Sequence, residues 1–340
     1  MHFIIQTEND MINDIEEFAL TQILDRQSSM HSYSMINAED LKDFVEQTMS
    51  VNFKEAIPVG DINFVKEYLN IVHRICNMTP IEIPDELRVD KYLKRDYAVL
   101  ERKELPKKGD YFLKTASKLK DFTYIGEISS LFEGENGVDF LKEGLYVLSE
   151  RVNILSEYRC FILNDIIKGI QFYSGDCTIM PTPDDVALIK EMVMKYSKNP
   201  NRPKAYTLDV GIIKDKGVAV LECHTHSSVG LYGYSDESLP YHYKFGFEWY
   251  LNNRDYELKK YNGFKKSNDI INDSEKHEVE DGYLKFKNGY IGQVEDDIFW
   301  YWNLNNLKKK AKPISSREAL EKAYELRKSL ESDEIAFKSK

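Results

Sequence analysis

At 340 residues, with 42% apolar and 12% aromatic content, the chain has the composition of two or three folded domains, not of a disordered polypeptide. Its formal net charge of −11 argues against a general nucleic-acid or membrane-surface binder, since either needs a basic field. Four cysteines, Cys76, Cys160, Cys177 and Cys223, form no CxxC pair and suit a reducing compartment. No apolar run reaches the roughly 20 residues of a membrane span. The start, MHFIIQTEND, lacks the basic-then-apolar order of a secretory signal. The expectation is a cytoplasmic protein with no nucleic-acid and no membrane partner.

In chain order, His2 to Gln6 reads as a short strand. Ile12 to Arg26 repeats Ile12, Ile15, Phe18, Ala19 and Ile23 at helical spacing. A strand around Phe53 to Val59 turns at Pro58-Val59-Gly60-Asp61 into a helix, with Asp61 as its N-cap. That helix lines up Phe64, Val65, Tyr68, Leu69, Val72 and Ile75. Pro80 and Pro84 mark a boundary, so 1–85 is expected to be a small α/β domain.

The next block offers strands at Tyr97–Glu101, Tyr111–Thr115, Phe122–Ile128 and Gly144–Leu148, with the basic turn SKLKD between the second and third. Glu157–Leu163 and Ile166–Tyr173 alternate across Asn164-Asp165, a hairpin signal. Pro181 to Tyr196 reads as a helix capped by Asp184 or Asp185. Tyr206 to His224 is a second hairpin, turning at Lys214-Asp215-Lys216-Gly217, and Tyr241–Tyr250 a second helix. A polar linker begins at Phe264. Short strands follow over 282–307, with Trp300 and Trp302 on one face. Ser315-x-x-Glu318 opens a last helix.

The second hairpin carries the chemistry. Asp209 sits among Leu208, Val210, Ile212 and Ile213, and a buried acid is costly unless its charge is compensated. Glu222 lies thirteen residues on, across the turn, with His224 after it. Two acids and an imidazole converging across a hairpin suggest a cation, and an ATP site would use one. Such a site also needs cations over the phosphates. Lys114 at a strand end, with Lys118 and Lys120 on the following turn, would supply them; the pattern does not choose between Lys118 and Lys120. Leu148, Ser149, Glu150 and Val152 leave a buried strand as an adenine hinge, with Glu150 and Glu157 for the ribose. Arg159, two residues beyond Glu157 on one strand face, would grip a phosphoryl or acyl-phosphate oxygen.

Taken singly, each feature has a plainer reading. Lys114 can be an edge lysine, and Glu157–Arg159 a same-face ion pair. His224 and His226, with Cys223 and Glu222, can be read as a zinc site.

As a set, SERVNILSEYRCFIL and the Asp209…Glu222-x-His224 spacing resemble the ATP-grasp superfamily of carboxylate–amine ligases. The motif order is similar to that of D-alanine–D-alanine ligase. PVGDINFVKEYL, YFLKT, SEYRCFI and ECHTHSSVGLYG look nearer to phage and bacterial ATP-grasp proteins of unassigned substrate. The resemblance covers about 55–250. It implies an α/β (α+β) fold holding ATP between two mostly antiparallel sheets. It also implies a pre-ATP-grasp domain at 1–85, a catalytic unit at 86–263 with lobes of about 90–148 and 149–263, and an extension at 264–340.

The implied reaction activates a carboxylate as an acyl phosphate for attack by an amine, on small-molecule or peptide substrates. Lys114, Lys120 and Arg159 would be catalytic; Asp209, Glu222 and His224 would hold Mg²⁺ or Mn²⁺. An ATP-grasp kinase and a non-catalytic nucleotide-binding module are the alternatives. Oligomeric state stays open, a homodimer being one option. Two departures stand out. The phosphate-covering loop is not glycine-rich, and His224 replaces the family's Asn. Imidazole is a softer donor than an amide oxygen and moves metal preference from Mg²⁺ toward Mn²⁺ or Zn²⁺.

Overall fold

The computed structural model describes residues 1–12, 14–76, 78–116, 122–132, 141–227, 229–264, 290–295 and 298–303. Lys118, Lys120 and Ser228 fall outside the described residues, as do the linker after Phe264 and the last helix expected from Ser315.

The elements run β1 (His2–Thr7), α1 (Ile15–Arg26), β2 (Ser32–Asn37), α2 (Leu41–Gln47), β3 (Ile57–Val59), α3 (Ile62–Tyr68), α4 (Asp90–Leu93) and β4 (Tyr97–Glu101). Next come β5 (Asp110–Thr115), β6 (Thr123–Glu127), α5 (Ser129–Phe132), β7 (Leu145–Glu150), β8 (Ile154–Leu163) and β9 (Ile166–Gly175). Then follow α6 (Pro183–Tyr196), β10 (Ala205–Ile213), β11 (Gly217–Thr225), α7 (Leu239–Asn252), β12 (Tyr261–Asn262), β13 (Tyr290–Glu295) and β14 (Ile298–Asn303). Among the described residues, one compact unit is built from 1–99 and 152–263 and a second from 100–115 and 122–151, with β13 and β14.

The first unit opens on a three-stranded parallel sheet in the order β2–β1–β3. β1 is central, and Phe3, Ile4 and Ile5 are wholly buried, the continuous apolar run that a covered parallel strand requires. Asp61 caps α3, accepting from the amides of Asn63 and Phe64. The helix then loosens into a π turn over Leu69–His73 and stops at Arg74, in left-handed backbone. It therefore does not run on to Ile75 as the spacing predicts.

β2 and α2 escape the sequence reading. SYSMIN is a half-exposed edge strand, and α2 buries only Leu41, so neither carries a strong apolar period. α1 is a sharper correction. Its buried residues are Glu17, Leu20, Thr21, Ile23 and Leu24, while Ile15 and Phe18 are exposed. The expected inward face is rotated, and an acid is turned in.

The same unit holds an antiparallel sheet ordered β11–β10–β8–β9. The β8–β9 turn uses Asn164 (φ 49°) and Asp165 (φ 63°), both left-handed as a tight hairpin requires. Asp215 and Gly217 are left-handed in the β10–β11 turn. Every residue of β10 is buried. α6 is capped by Thr182, whose hydroxyl accepts the Asp185 amide while Asp185 accepts the Thr182 amide. Thr182 is thus the cap, and Asp185 its reciprocal partner.

In the second unit, β5 pairs antiparallel with β6 on one side and β7 on the other. β13 and β14 form a separate antiparallel pair. No helix among the described residues is long and apolar enough to cross a membrane.

Candidate active site

The central strand β10 places the site. In register, Asp209 stands opposite Arg159 of β8 on one side and Glu222 of β11 on the other. The β10–β11 register shifts between Asp209 and Val210. Such an irregularity re-aims side chains locally. Three strands therefore deliver an acid, a base and an acid to one place.

Asp209 is 1% exposed and its carboxylate meets Arg159 bidentately, Nε to Oδ1 at 2.8 Å and Nη2 to Oδ2 at 2.7 Å. Parallel bonds of this kind are the strongest way to satisfy a buried carboxylate. Arg159 also donates from Nη1 to the carbonyl of Gly230 at 3.1 Å. Burial works against the guanidinium's charge. The hydrogen bonds and charge of Asp209, with Tyr232 and Tyr173, outweigh it and raise the pKa above its ordinary value.

His224 Nε2 lies 2.9 Å from Glu222 Oε2 and 4.0 Å from Asp209 Oδ2. Ligand atoms of Asp209, Glu222 and His224 lie within 4.8 Å of one another. Each Asp209 oxygen engaged by Arg159 keeps a second lone pair. Two carboxylates and an imidazole are a donor set that fits a divalent cation. The zinc alternative is not supported. Cys223 is fully buried on the opposite face of β11. His226 packs its ring on Phe161, His242 and Tyr243, away from the acids.

Glu157 does not pair with Arg159. It accepts from the Tyr173 hydroxyl at 2.9 Å. Burial raises the Tyr173 pKa, and the charges of Asp209, Glu157 and Glu222 raise it further. Val152 is half-buried, just before β8.

In the second unit, Lys114 is half-buried on β5 opposite Val147 of β7, and Leu113 is opposite Leu148. Leu148 is wholly buried, and Ser149 is buried with its hydroxyl donating to the Glu150 carbonyl at 3.1 Å. Glu150 closes β7 opposite Tyr111. Lys114, Leu148, Ser149 and Glu150 thus gather on two adjacent strands.

The sequence reading misses the aromatic surround of Arg159. Tyr232 and Tyr173 place their ring centroids 5.1 and 5.5 Å from its central carbon. The signal for Tyr232 was the run GLYGY, whose glycines leave room for rings. Tyr173 had none beyond its place on a hairpin strand.

Residues 92–240 match the model of an ATP-grasp domain family, the second family of its clade. Every residue singled out above from the sequence, Lys114 through His224, lies inside that span. Among solved structures, the chain is similar to D-alanine–D-alanine ligase from Bacillus anthracis, with 12% identity and a TM-score of 0.42 over 75% of this chain and 97% of that one. It is also similar to the D-cycloserine synthetase DcsG, with 9% identity and a TM-score of 0.42 over 73% and 100%. A third is the macrocyclase MdnC from Microcystis aeruginosa, with 11% identity and a TM-score of 0.37 over 72% and 98%. Comparison with curated proteins finds no match. The chain therefore carries, over residues 92–240, a domain of the ATP-grasp superfamily, with its α+β fold of helices and antiparallel sheets.

Proposed function

We propose that this protein is an ATP-dependent carboxylate–amine ligase. The γ-phosphoryl of ATP passes to a carboxylate oxygen of the substrate and ADP leaves. An amine then attacks the acyl carbon of the resulting acyl phosphate. Inorganic phosphate departs, the amine loses a proton, and an amide or peptide-like bond remains. The observation that carries this reading is the meeting of Asp209, Glu222 and His224 beside Arg159 on β10, β11 and β8, within an ATP-grasp span.

On this reading Asp209 and Glu222, with His224 as third donor, hold Mg²⁺ or Mn²⁺. The ion when bound neutralises phosphate-oxygen charge. Arg159 keeps Asp209 ionised at a site that would otherwise favour its neutral form, and presents its remaining N–H edge toward the reacting oxygens. Lys114, with Lys120 or Lys118, neutralises the phosphates. Leu148, Ser149 and Val152 line the adenine, and Glu150 and Glu157 take the ribose hydroxyls. The domain division is 1–85, 86–263 and 264–340. The substrates are small-molecule or peptide carboxylates and amines, and the compartment is the cytoplasm.

The test is ADP release across a panel of carboxylates and amines, with mass analysis of the product. A product lighter by one water than its two substrates combined is expected. A product equal to one substrate plus a phosphoryl group would replace the ligase with a kinase. Absence of ADP release across the panel would overturn the assignment.

A further inference from the structure

Arg159 is held by more than its carboxylate. Its central carbon, the Tyr232 ring and the Tyr173 ring form a triangle with sides of 5.1, 5.5 and, between the rings, 5.1 Å. The two rings are near parallel, at 23°. A guanidinium against aromatic rings gains from their quadrupoles, more so where water is thin.

The two tyrosines are not equivalent. Tyr173 is fixed from its far end by the hydroxyl bond to Glu157. Tyr232 is 45% exposed, so its ring contributes little as core. Yet its backbone is held at φ 49°, a region that a ring-bearing L residue enters only at a cost.

Its surroundings are cut to that seat. A Cβ at Gly230 would lie 2.9 Å from a carbon of the Tyr232 ring, so glycine there makes the room. Gly233 follows at φ 84°. The loop is also pinned at two points just before the ring. The Gly230 carbonyl accepts from Arg159 Nη1, and the Leu231 amide donates to Glu16 Oε1 of α1 at 2.9 Å. A strained, half-exposed ring with glycines beside it and anchors before it needs a local gain, and the group it meets is the guanidinium.

We propose that Tyr232 is a positioning residue for Arg159. Its ring holds the guanidinium in the bidentate arrangement with Asp209 and keeps it from swinging toward solvent when substrate carboxylate or phosphate competes for it. The aromatic face does this, and the phenol hydroxyl does not. The effect on turnover rests on the ligase reading, whereas the effect on the guanidinium does not.

The test is nitrogen-15 NMR of the Arg159 Nε–H, assigned by its disappearance in Arg159→Lys. A buried, carboxylate-bound Nε–H exchanges slowly and gives a sharp resonance. The expected result is a sharp resonance in the natural protein and in Tyr232→Phe, and a broadened or lost one in Tyr232→Ala. Gly230→Ala leaves the ring in place but pushes it off its seat, and is expected to behave as Tyr232→Ala does. It serves where the larger truncation does not fold.

In turnover, Tyr232→Ala should lower kcat tenfold or more with KM for ATP within twofold. Tyr232→Phe should stay within twofold of the natural protein on both. An unchanged resonance in Tyr232→Ala and Gly230→Ala would overturn the proposal, as would a Tyr232→Phe as impaired as Tyr232→Ala. If the resonances behave as expected but no carboxylate supports ADP release, the ligase reading fails and the positioning role stands.

Discussion

Two groups of acids in the first unit differ in one respect. On β10, Asp209 is 1% exposed and both its oxygens are bonded to Arg159. At the start of α1, Asp14, Glu16 and Glu17 bring carboxylate oxygens within 4.8 Å of one another, and Glu17 keeps a buried oxygen with no hydrogen-bond partner. Burial is nearly equal, Glu17 being 6% exposed. The outcome is not. Burial first, with the charges of Asp14, Glu16 and Asp61 adding to it, pushes the Glu17 pKa up to about 7. Depth alone does not decide whether an acid is usable as an anion; the partner does. The group on β10 is built to stay charged, and the group on α1 holds a proton into the neutral range.

The largest expected effect follows from removing the partner's anion. Asp209→Asn leaves the Arg159 charge buried without its carboxylate, and such a loss costs about 3 kcal/mol of stability. It should also reduce ADP release at least a hundredfold, as read by urea unfolding and a coupled ADP assay. Arg159→Met combined with Asp209→Leu should cost less stability than Asp209→Asn alone, because no charge is then stranded. A double variant worse than the single would mean that the pair acts through packing.

Glu17→Gln tests the other side. Because the folded protein holds this proton more tightly than the unfolded chain does, stability falls as pH rises from about 4.5 to about 7. Above that window the loss is constant, at roughly 3 kcal/mol. The substitution should flatten urea midpoints between pH 5 and pH 8 and raise the value at pH 8. A wild-type slope that survives Glu17→Gln would place the proton elsewhere.

His242 is the mirror case, a buried base. Burial lowers its pKa from 6.5 to about 4, partly countered by Asp236, and its Nε2 meets the Tyr234 hydroxyl at 3.1 Å. Here the unfolded chain binds the proton first, so stability is lost as pH falls from about 6.5 to about 4. His242→Gln should make that acid limb shallower in a thermal melt series. An unchanged limb would shift the cause to its neighbour His226, whose pKa burial also lowers.

The smallest effect belongs away from both groups. Thr182→Ala removes the cap of α6 and should cost about 1 kcal/mol in urea unfolding, with turnover unchanged.

What was legible in the sequence tracks which forces are local. The β10–β11 hairpin was readable because Asp209 sits in an unbroken apolar strand and Glu222 follows the turn at a spacing that alternation resolves. The Asp61 cap and the Asn164-Asp165 turn were readable for the same reason, since each is decided within four residues. The rotation of α1 was not. Ile15 and Phe18 satisfy the helical period, but the packing that turns Glu17 inward lies outside the helix. The pairing of Arg159 with Asp209 spans fifty residues, and period 2 along β8 pointed to Glu157 instead. The Tyr232 seat depends on a positive φ that a tyrosine does not announce.

The central claim is that the β10–β11 acids hold the cation that ATP brings. Glu222 is half-buried, so Glu222→Gln tests this without stranding a buried charge. The measurement is a calorimetric titration of ATP with Mn²⁺ into the natural protein and into Glu222→Gln. The account predicts binding at one site in the first and a Kd at least tenfold weaker in the second, with matching unfolding curves. The same Kd in both proteins would contradict it.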